Sequence, residues 1–394
     1  MRIRTTVLAG LAALALTSAL PAAPAAAASG APATGTGRPG DIVTSAPTAF
    51  HTQPGVPAAA KAWHITYRST TATGRPDVVS GTVLVPDDGK QGPRPLLTWG
   101  IGAVGLADDC AVSGRFPRGT SSEAQLIDLA LRRGWAVAVT DYEGLGTPDD
   151  HTYTVGRSEG HAVLDAARAA QRLPEAGLSP DAPVGIMGYS QGGQAAGWAA
   201  ELHASYAPEL RLKGTVAGGV PADLPTTLEY NDGGPGAGLA LMALTGQDAA
   251  FPALRLDSYL NDRGRGYVNF MKRNCVPLST IGGLFRHRSE VTVRDPLASP
   301  AWQLALRTSF LGTRSPDHPV YLYQGTVDEL IPYRVGAALR DRWCARGVPV
   351  EWKDYPLDHV TTAVTGIPTA LEWMAGRLAD DEPTRGNCAS VRPG

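Results

Sequence analysis

One short segment, Gly188-Tyr189-Ser190-Gln191-Gly192-Gly193, places a serine between glycines in a G-x-S-x-G pattern. An apolar run over 183–187 precedes it, and the small-residue segment 194–202 that follows has the composition of a helix. A strand, a sharp turn and a helix in this order form a nucleophile elbow, which lifts a serine hydroxyl off the edge of a sheet. We therefore predict a nucleophile at Ser190, whereas a serine flanked by glycines in another context is an ordinary turn.

A serine hydroxyl is a weak nucleophile, so the chain must also supply a base and an acid that orients the base. On an elbow scaffold both follow the serine, in the order acid and then histidine. Four of the eight histidines precede Ser190. Of the others, His203 is expected to point away from the elbow, His287 lies in a basic patch, and His318 precedes a strand at the wrong end of the sheet. His359, between a strand and the last helix, is the predicted base.

The acid is expected after the strand that precedes the histidine. Asp328 follows the apolar segment 319–324 and is our choice, with Glu329 as its neighbour and a simple helix cap as the alternative role. Asp358 adjoins His359, but neighbouring residues seldom orient each other in this way, so we interpret Asp358 as structural.

Attack of a serine on a carbonyl carbon creates an oxyanion, which needs preorganised N–H donors. On this scaffold one donor is the backbone of the residue after the nucleophile, here Gln191. The other should come from the glycine-rich loop 101–110, which follows the predicted strand 95–100. Ala103 and Val104 are the candidates in that loop.

Composition excludes several classes of function. The chain has 394 residues, 43% of them hydrophobic, and a net charge of −2, so no basic surface for nucleic acid is expected. Residues 1–28 have the basic start, apolar centre and alanine-rich end of a signal peptide, which predicts secretion. Residues 29–48 are predicted to be a flexible lead-in. No motif for a metal ion or a cofactor occurs, and none is expected.

The cysteine count agrees with export. Four cysteines in an exported chain favour two disulfides, with three possible connectivities, over four free thiols. The residues are Cys110, Cys275, Cys344 and Cys388.

Strand and helix patterns alternate over 49–222 and again over 295–394, which predicts an α/β fold with a mostly parallel sheet and helices on both faces. Between them, residues 223–294 show no clean alternation and several short helical patterns. We predict that this segment is a helical cap or lid inserted into the core.

Taken together, these motifs make the chain resemble the secretory lipase family of α/β-hydrolases, found in actinobacteria and yeasts. The resemblance rests on segments 65–70, 81–86, 141–146, 156–158, 164–166, 188–193, 324–328 and 358–359. It implies hydrolysis of carboxylic esters of acylglycerols through an acyl-enzyme, with Ser190, Asp328 and His359 in the roles argued above. By similarity, Cys110 would pair with Cys275 and Cys344 with Cys388.

The expected partner is a lipid or small ester, with transient contact between the cap and a lipid surface. A short-chain carboxylesterase or an acyltransferase would use the same three residues, since specificity resides in the pocket. A secreted binding protein with a vestigial site is a further alternative, and the sequence leaves the oligomeric state open.

Overall fold

The computed structural model describes residues 37–90, 92–379 and 385–389. The predicted signal peptide and the lead-in up to residue 36 lie outside the described residues. The described chain is built on a nine-stranded sheet in the order β1-β4-β5-β7-β6-β8-β9-β10-β11. These strands are β1 (Ile42–Thr48), β4 (Ala60–Thr70), β5 (Pro76–Pro86), β6 (Leu96–Gly100), β7 (Ala136–Thr140), β8 (Val184–Tyr189), β9 (Leu212–Gly218), β10 (Val320–Gly325) and β11 (Val350–Tyr355), while β2 (His51–Gln53) and β3 (Val56–Pro57) form a separate pair.

The sheet is mostly parallel, as predicted. The six strands from β7 to β11 pair in parallel, while β1, β4 and β5 add an antiparallel edge. The edge contains the predicted hairpin, in which β4 and β5 pair from Ala60 opposite Pro86 to Thr70 opposite Pro76.

Helices cover both faces of the sheet. Neighbouring residues of β6 point to opposite faces of the sheet. Thr98 donates a 2.9 Å hydrogen bond to the carbonyl of Val163, in the helix over 156–172. Leu97 lies on the other face, the same face as Met374 of the helix over 359–378. The helices are α1 (Val112–Arg115), α2 (Ala124–Leu131), α3 (Gly156–Arg172), α4 (Gln191–Tyr206), α5 (Leu224–Tyr230), α6 (Ala237–Ala250), α7 (Asp262–Met271), α8 (Val276–Gly283), α9 (Arg288–Val291), α10 (Pro300–Arg307), α11 (Tyr333–Ala345) and α12 (His359–Leu378). Among the described residues, no helix combines the length and the apolar character needed to cross a membrane.

The helical insertion between β9 and β10 is longer than predicted. Besides α5 to α9, it includes α10, which lies beyond the predicted boundary at residue 294. The reason is packing: Trp302 and Leu306 of α10 join Leu224 and Leu228 of α5 in a second hydrophobic core, separate from that of the sheet. We therefore define the cap as residues 224–307.

The predicted lead-in also needs correction. Within residues 29–48, the segment Ile42–Thr48 is the edge strand β1, which pairs antiparallel with β4. Most of its side chains are exposed, so the strand is held by its ladder of backbone hydrogen bonds and shows no apolar pattern.

Two disulfides cross-link the chain in the pairing that the resemblance implies. Cys110 bonds to Cys275 across 165 residues and ties the loop after β6 to the cap. Cys344 of α11 bonds to Cys388 across 44 residues. Next to Cys388, Asn387 donates hydrogen bonds to the carbonyls of Val350 and Trp352, both 2.8 Å long, so the C-terminal segment is held against β11.

We expect the double variant Cys344→Ser/Cys388→Ser to lose about 2–5 kcal/mol of unfolding free energy, because the cross-link restricts the unfolded chain. Urea titration of the mature protein, followed by circular dichroism, measures this loss. Unchanged stability would contradict a structural role for the bond.

Candidate active site

The topology gathers the predicted site residues at one edge of the sheet. Parallel strands end on the same side, and in open α/β sheets binding sites form beyond these carboxyl ends. Ala103 lies in the loop after β6, Ser190 directly follows β8, Asp328 follows β10, and His359 follows β11.

The elbow holds Ser190 in a conformation that is rare for a residue with a side chain. Its φ is 60° and its ψ is −121°, and its N–H donates a 2.9 Å hydrogen bond to the Gly218 carbonyl. The turn requires close backbone contacts. A Cβ on Gly188 would lie 2.1 Å from the Gly192 oxygen, and a Cβ on Gly192 would lie 2.0 Å from the Gly100 oxygen. Both positions therefore demand glycine.

His359 and Asp328 form a buried, hydrogen-bonded pair. His359 Nδ1 lies 2.7 Å from Asp328 Oδ2, which also accepts a 2.8 Å hydrogen bond from Gln324 Nε2. The other oxygen, Oδ1, accepts from the N–H groups of Leu330 and Ile331 at 3.0 and 2.8 Å. These bonds fix the carboxylate, place the imidazole proton on Nδ1, and leave Nε2 to act as the base.

Two neighbouring carboxylates serve the backbone instead of the imidazole. Glu329 accepts the N–H of His359 at 3.0 Å. Asp358 caps α12 by accepting the N–H of Thr361 at 2.9 Å, the structural role expected for it. Tyr189 holds the same turn, since its hydroxyl donates to the His359 carbonyl at 2.8 Å and its ring centroid lies 4.9 Å from that of the imidazole.

Ser190 and His359 line one cavity of about 270 Å³. Within the described residues, no hydrogen bond links the serine hydroxyl to the imidazole, and such contacts commonly tighten only when substrate binds. The walls are largely apolar, and the cavity is also lined by Leu126, Leu239, Val276, Leu330, Val360, Ala363, Val364 and Ile367.

A second, narrower cavity of about 40 Å³ meets the first at Ser190 and runs beneath the cap. Its walls include Gln191, and Leu224, Leu228 and Ala240 of the cap. Ser190 thus lines both apolar spaces.

The candidate oxyanion donors differ in position. The N–H of Gln191 lies in the first turn of α4, where no intrahelical partner exists. Ala103 lines the larger cavity together with Ser190. Val104 lines a separate small space, and its carbonyl accepts a 2.8 Å hydrogen bond from Val276 of the cap. Ala103 is therefore better placed as the second donor.

Sequence reasoning missed Glu123, which shapes this loop. Its carboxylate accepts hydrogen bonds from the Gly102 N–H and from Trp99 Nε1, both 2.7 Å long. Burial raises the pKa of Glu123 above its usual value. No local signal identifies it, because a glutamate at a helix start is usually a solvated cap residue.

A second missed group lies behind the elbow. Glu159 of α3 accepts a 2.8 Å hydrogen bond from the Gln191 side chain and a 2.9 Å bond from the Thr154 N–H. Burial raises the pKa of Glu159 to about 8. His151 also contacts Gln191, with 3.3 Å between His151 Nε2 and Gln191 Nε2. Burial lowers the pKa of His151 to about 4. Gln191 is thus held by a buried network that is mostly uncharged at neutral pH.

Comparisons with known proteins agree with this architecture. A secreted triacylglycerol lipase of Malassezia restricta is 29% identical over 344 residues, which cover 81% of this chain and 71% of the relative. A probable inactive lipase of Mycobacterium tuberculosis is 30% identical over 346 residues, with 82% and 75% covered. The crystal structure of Candida antarctica lipase A shares the fold, with a TM-score of 0.80 and 24% identity over 91% of this chain and 86% of that one.

The model of one protein family, described as secretory lipase, matches residues 118–386. That single match spans the elbow, the His359–Asp328 pair and the whole cap. The chain therefore belongs to the secretory lipase family of α/β-hydrolases.

Proposed function

We propose that the protein cleaves carboxylic esters of acylglycerols through an acyl-enzyme on Ser190, with His359 as base and Asp328 as the acid that orients it. Membership of the secretory lipase family makes the protein a secreted ester hydrolase. The observation that carries the finer proposal is the apolar cavity of about 270 Å³ into which Ser190 and His359 both project. Its lining favours esters with a hydrocarbon chain over charged or sugar esters.

The geometry supports a two-step reaction. His359 Nε2 takes the proton of Ser190 as the oxygen attacks the ester carbon, and the N–H groups of Gln191 and Ala103 stabilise the oxyanion. The imidazolium then protonates the departing alcohol, and the acyl group remains on the serine. Water, activated by the same imidazole, releases the fatty acid and restores Ser190.

The surface around the cavity supports contact with lipid. Helix α8 supplies Val276 to the cavity wall, while Leu278 and Ile281, one turn apart, are 54% and 66% exposed. Phe285, just beyond the helix, is 65% exposed. An exposed apolar patch beside a binding cavity is typical of an interaction surface, and we propose that this patch touches the lipid that carries the substrate.

The proposed reaction can be tested with nitrophenyl esters of increasing acyl length. We expect the rate to rise with chain length, because each added methylene enters an apolar cavity. We expect Ser190→Ala to lower the rate by at least about 10⁴-fold, because a triad fails as a unit when its nucleophile is removed.

Ser122→Ala is the matched control, since Ser122 lines the same cavity and has no assigned role. Full activity of Ser190→Ala would refute the mechanism. A rate maximum at the shortest esters would identify a carboxylesterase, and ester formation with an added alcohol in place of hydrolysis would identify an acyltransferase. Failure of a fluorophosphonate probe to label Ser190 would indicate a vestigial site.

The choice of acid is tested by two isosteric variants. Asp328→Asn should reduce kcat by about 10³–10⁴-fold, because the amide no longer holds His359 in the productive tautomer. Asp358→Asn should retain nearly full kcat, since asparagine caps a helix as well as aspartate does. Steady-state kinetics on one soluble ester distinguishes them, and equal losses would show that Asp328 is wrongly assigned.

The lipid-contact surface predicts a substrate-dependent defect. We expect Ile281→Ser/Phe285→Ser to hydrolyse emulsified triacylglycerol about tenfold more slowly, because less apolar area inserts into lipid. Soluble short-chain esters should be cleaved at the normal rate. Leu304→Ser, which alters a leucine of α10 that is 69% exposed, is the control. An equal loss on soluble esters would contradict the proposal.

A further inference from the structure

Two histidines that cannot serve as the catalytic base meet at the opposite end of the elbow helix. His203 lies in the last turn of α4, roughly 20 Å along the helix axis from Ser190 at 1.5 Å per residue. Asp317 and His318 lie just before β10. The three residues form a cluster in which one potential ligand atom from each lies within 4.8 Å of the others. The sequence does not reveal this cluster, because His203 and Asp317 are 114 positions apart.

Both imidazoles direct Nδ1 at one carboxylate. His203 Nδ1 lies 2.9 and 3.0 Å from the two oxygens of Asp317. His318 Nδ1 lies 2.8 Å from Oδ1, the nearer of those oxygens. The two rings cross nearly at right angles, with an interplanar angle of 85°. A single carboxylate oxygen thus faces two ring nitrogens.

Hydrogen bonds on the far side of the rings orient both imidazoles. His203 Nε2 lies 3.0 Å from the Leu210 carbonyl oxygen, which can only accept, so Nε2 carries a proton. Nδ1 of His203 is therefore the nitrogen left to meet Asp317. His318 Nε2 lies 2.8 Å from the Thr215 hydroxyl, which can donate or accept, and this contact leaves Nδ1 of His318 to meet the same carboxylate. Both rings thus keep one nitrogen for Asp317, and the three potential ligand atoms lie within 4.8 Å of one another.

We propose that His203, Asp317 and His318 bind a divalent transition-metal ion, with Zn²⁺ as the best match. Two imidazoles and one carboxylate are zinc ligands, whereas Mg²⁺ and Ca²⁺ prefer oxygen alone. The contacts to Leu210 and Thr215 are of the kind that orient metal-binding histidines through their second nitrogen. The imidazoles are buried, while the Asp317 side chain is 41% exposed and leaves room for entry of the ion and for a water ligand.

The distances suit this ion. With bonds of about 2.0–2.1 Å, tetrahedral Zn²⁺ holds its ligand atoms about 3.3–3.4 Å apart. The observed nitrogen–oxygen distances of 2.8–3.0 Å differ from this value by a few tenths of an ångström, which the half-exposed Asp317 can supply. The two imidazole nitrogens, which lie within 4.8 Å of each other, would close on the ion.

The site's position assigns it a structural role. It would clamp the end of α4, which begins at Ser190, to the start of β10, which leads to Asp328. Neither histidine lines the cavity at Ser190. The ion should therefore stabilise the fold while leaving the hydrolytic rate at 25 °C unchanged.

The test is isothermal titration of the metal-stripped mature protein with ZnCl₂, together with thermal unfolding. We expect one Zn²⁺ per chain and a rise in Tm of about 4 °C when free Zn²⁺ exceeds the Kd by about a hundredfold. Asp317→Asn should weaken binding at least about tenfold and abolish most of the Tm shift. His203→Asn, which removes a different ligand, should do the same.

Asp232→Asn is the matched control, because Asp232 faces His287 in a surface histidine–aspartate pair outside the cluster. It should bind Zn²⁺ as the unmodified protein does. Bound Co²⁺ should also give the visible absorption of a nitrogen-ligated site in the unmodified protein and lose it in His203→Asn. Absence of Zn²⁺ binding, or equal binding by Asp317→Asn, would overturn the proposal and identify the cluster as an ion pair between imidazolium and carboxylate.

Discussion

The close approach of backbones around Ser190 is the constraint on which the rest of the site depends. The residue has a φ of 60°, and this conformation is strained for any residue with a Cβ. It persists because β8 and α4 are packed on both sides without side chains at Gly188, Gly192 and Gly193, where a Cβ would lie within 2.2 Å of a backbone oxygen. The burial of the sheet core opposes relaxation of the turn. The strained turn thus places Ser190 at the wall of the cavity and starts α4 at Gln191.

The other residues of the site each follow a different strand of the same sheet. Asp328 arrives after β10 and His359 after β11, neighbours that are paired in register from Val320 opposite Val350 to Gly325 opposite Tyr355. That register sets the loops close enough for the 2.7 Å bond between the two side chains. The cap contributes Leu239 and Val276 to the walls of the cavity, and the bond between Cys110 and Cys275 joins the cap to the loop that carries Ala103. The sheet therefore sets the positions of the site residues, while the walls of the cavity come from the cap and from helices α2 and α12 of the core.

The parts predictable from sequence were those governed by order along the chain. The elbow motif, the acid after one strand and the histidine after the next follow a fixed succession, and the structure does bring Asp328 and His359 together. Glu123 and Glu159 could not be found, because their importance arises from contacts with Gly102 and Gln191 across the fold.

The prediction of a flexible lead-in over 29–48 was wrong for a related reason. A strand that is held at the edge of a sheet by backbone hydrogen bonds needs no apolar pattern in its sequence. The predicted end of the cap at residue 294 was too early. Helix α10 is amphipathic like a helix of the core, and only its packing against α5 shows that it is part of the cap.

The buried network behind Gln191 shows how burial can keep polar groups neutral beside a proposed oxyanion donor. A carboxylate close to a developing negative charge would oppose it, yet Glu159 bonds directly to the side chain of Gln191, the residue that we propose as an oxyanion donor. Burial raises the pKa of Glu159 to about 8, so the group is mostly a neutral acid at pH 7. His151 is neutral as well, with its pKa lowered to about 4. The apolar surroundings thus allow a polar scaffold to hold Gln191 rigidly without adding charge. Above about pH 8 the same burial would work against the proposed oxyanion, because an ionised Glu159 would place a negative charge beside Gln191 with little water to screen it.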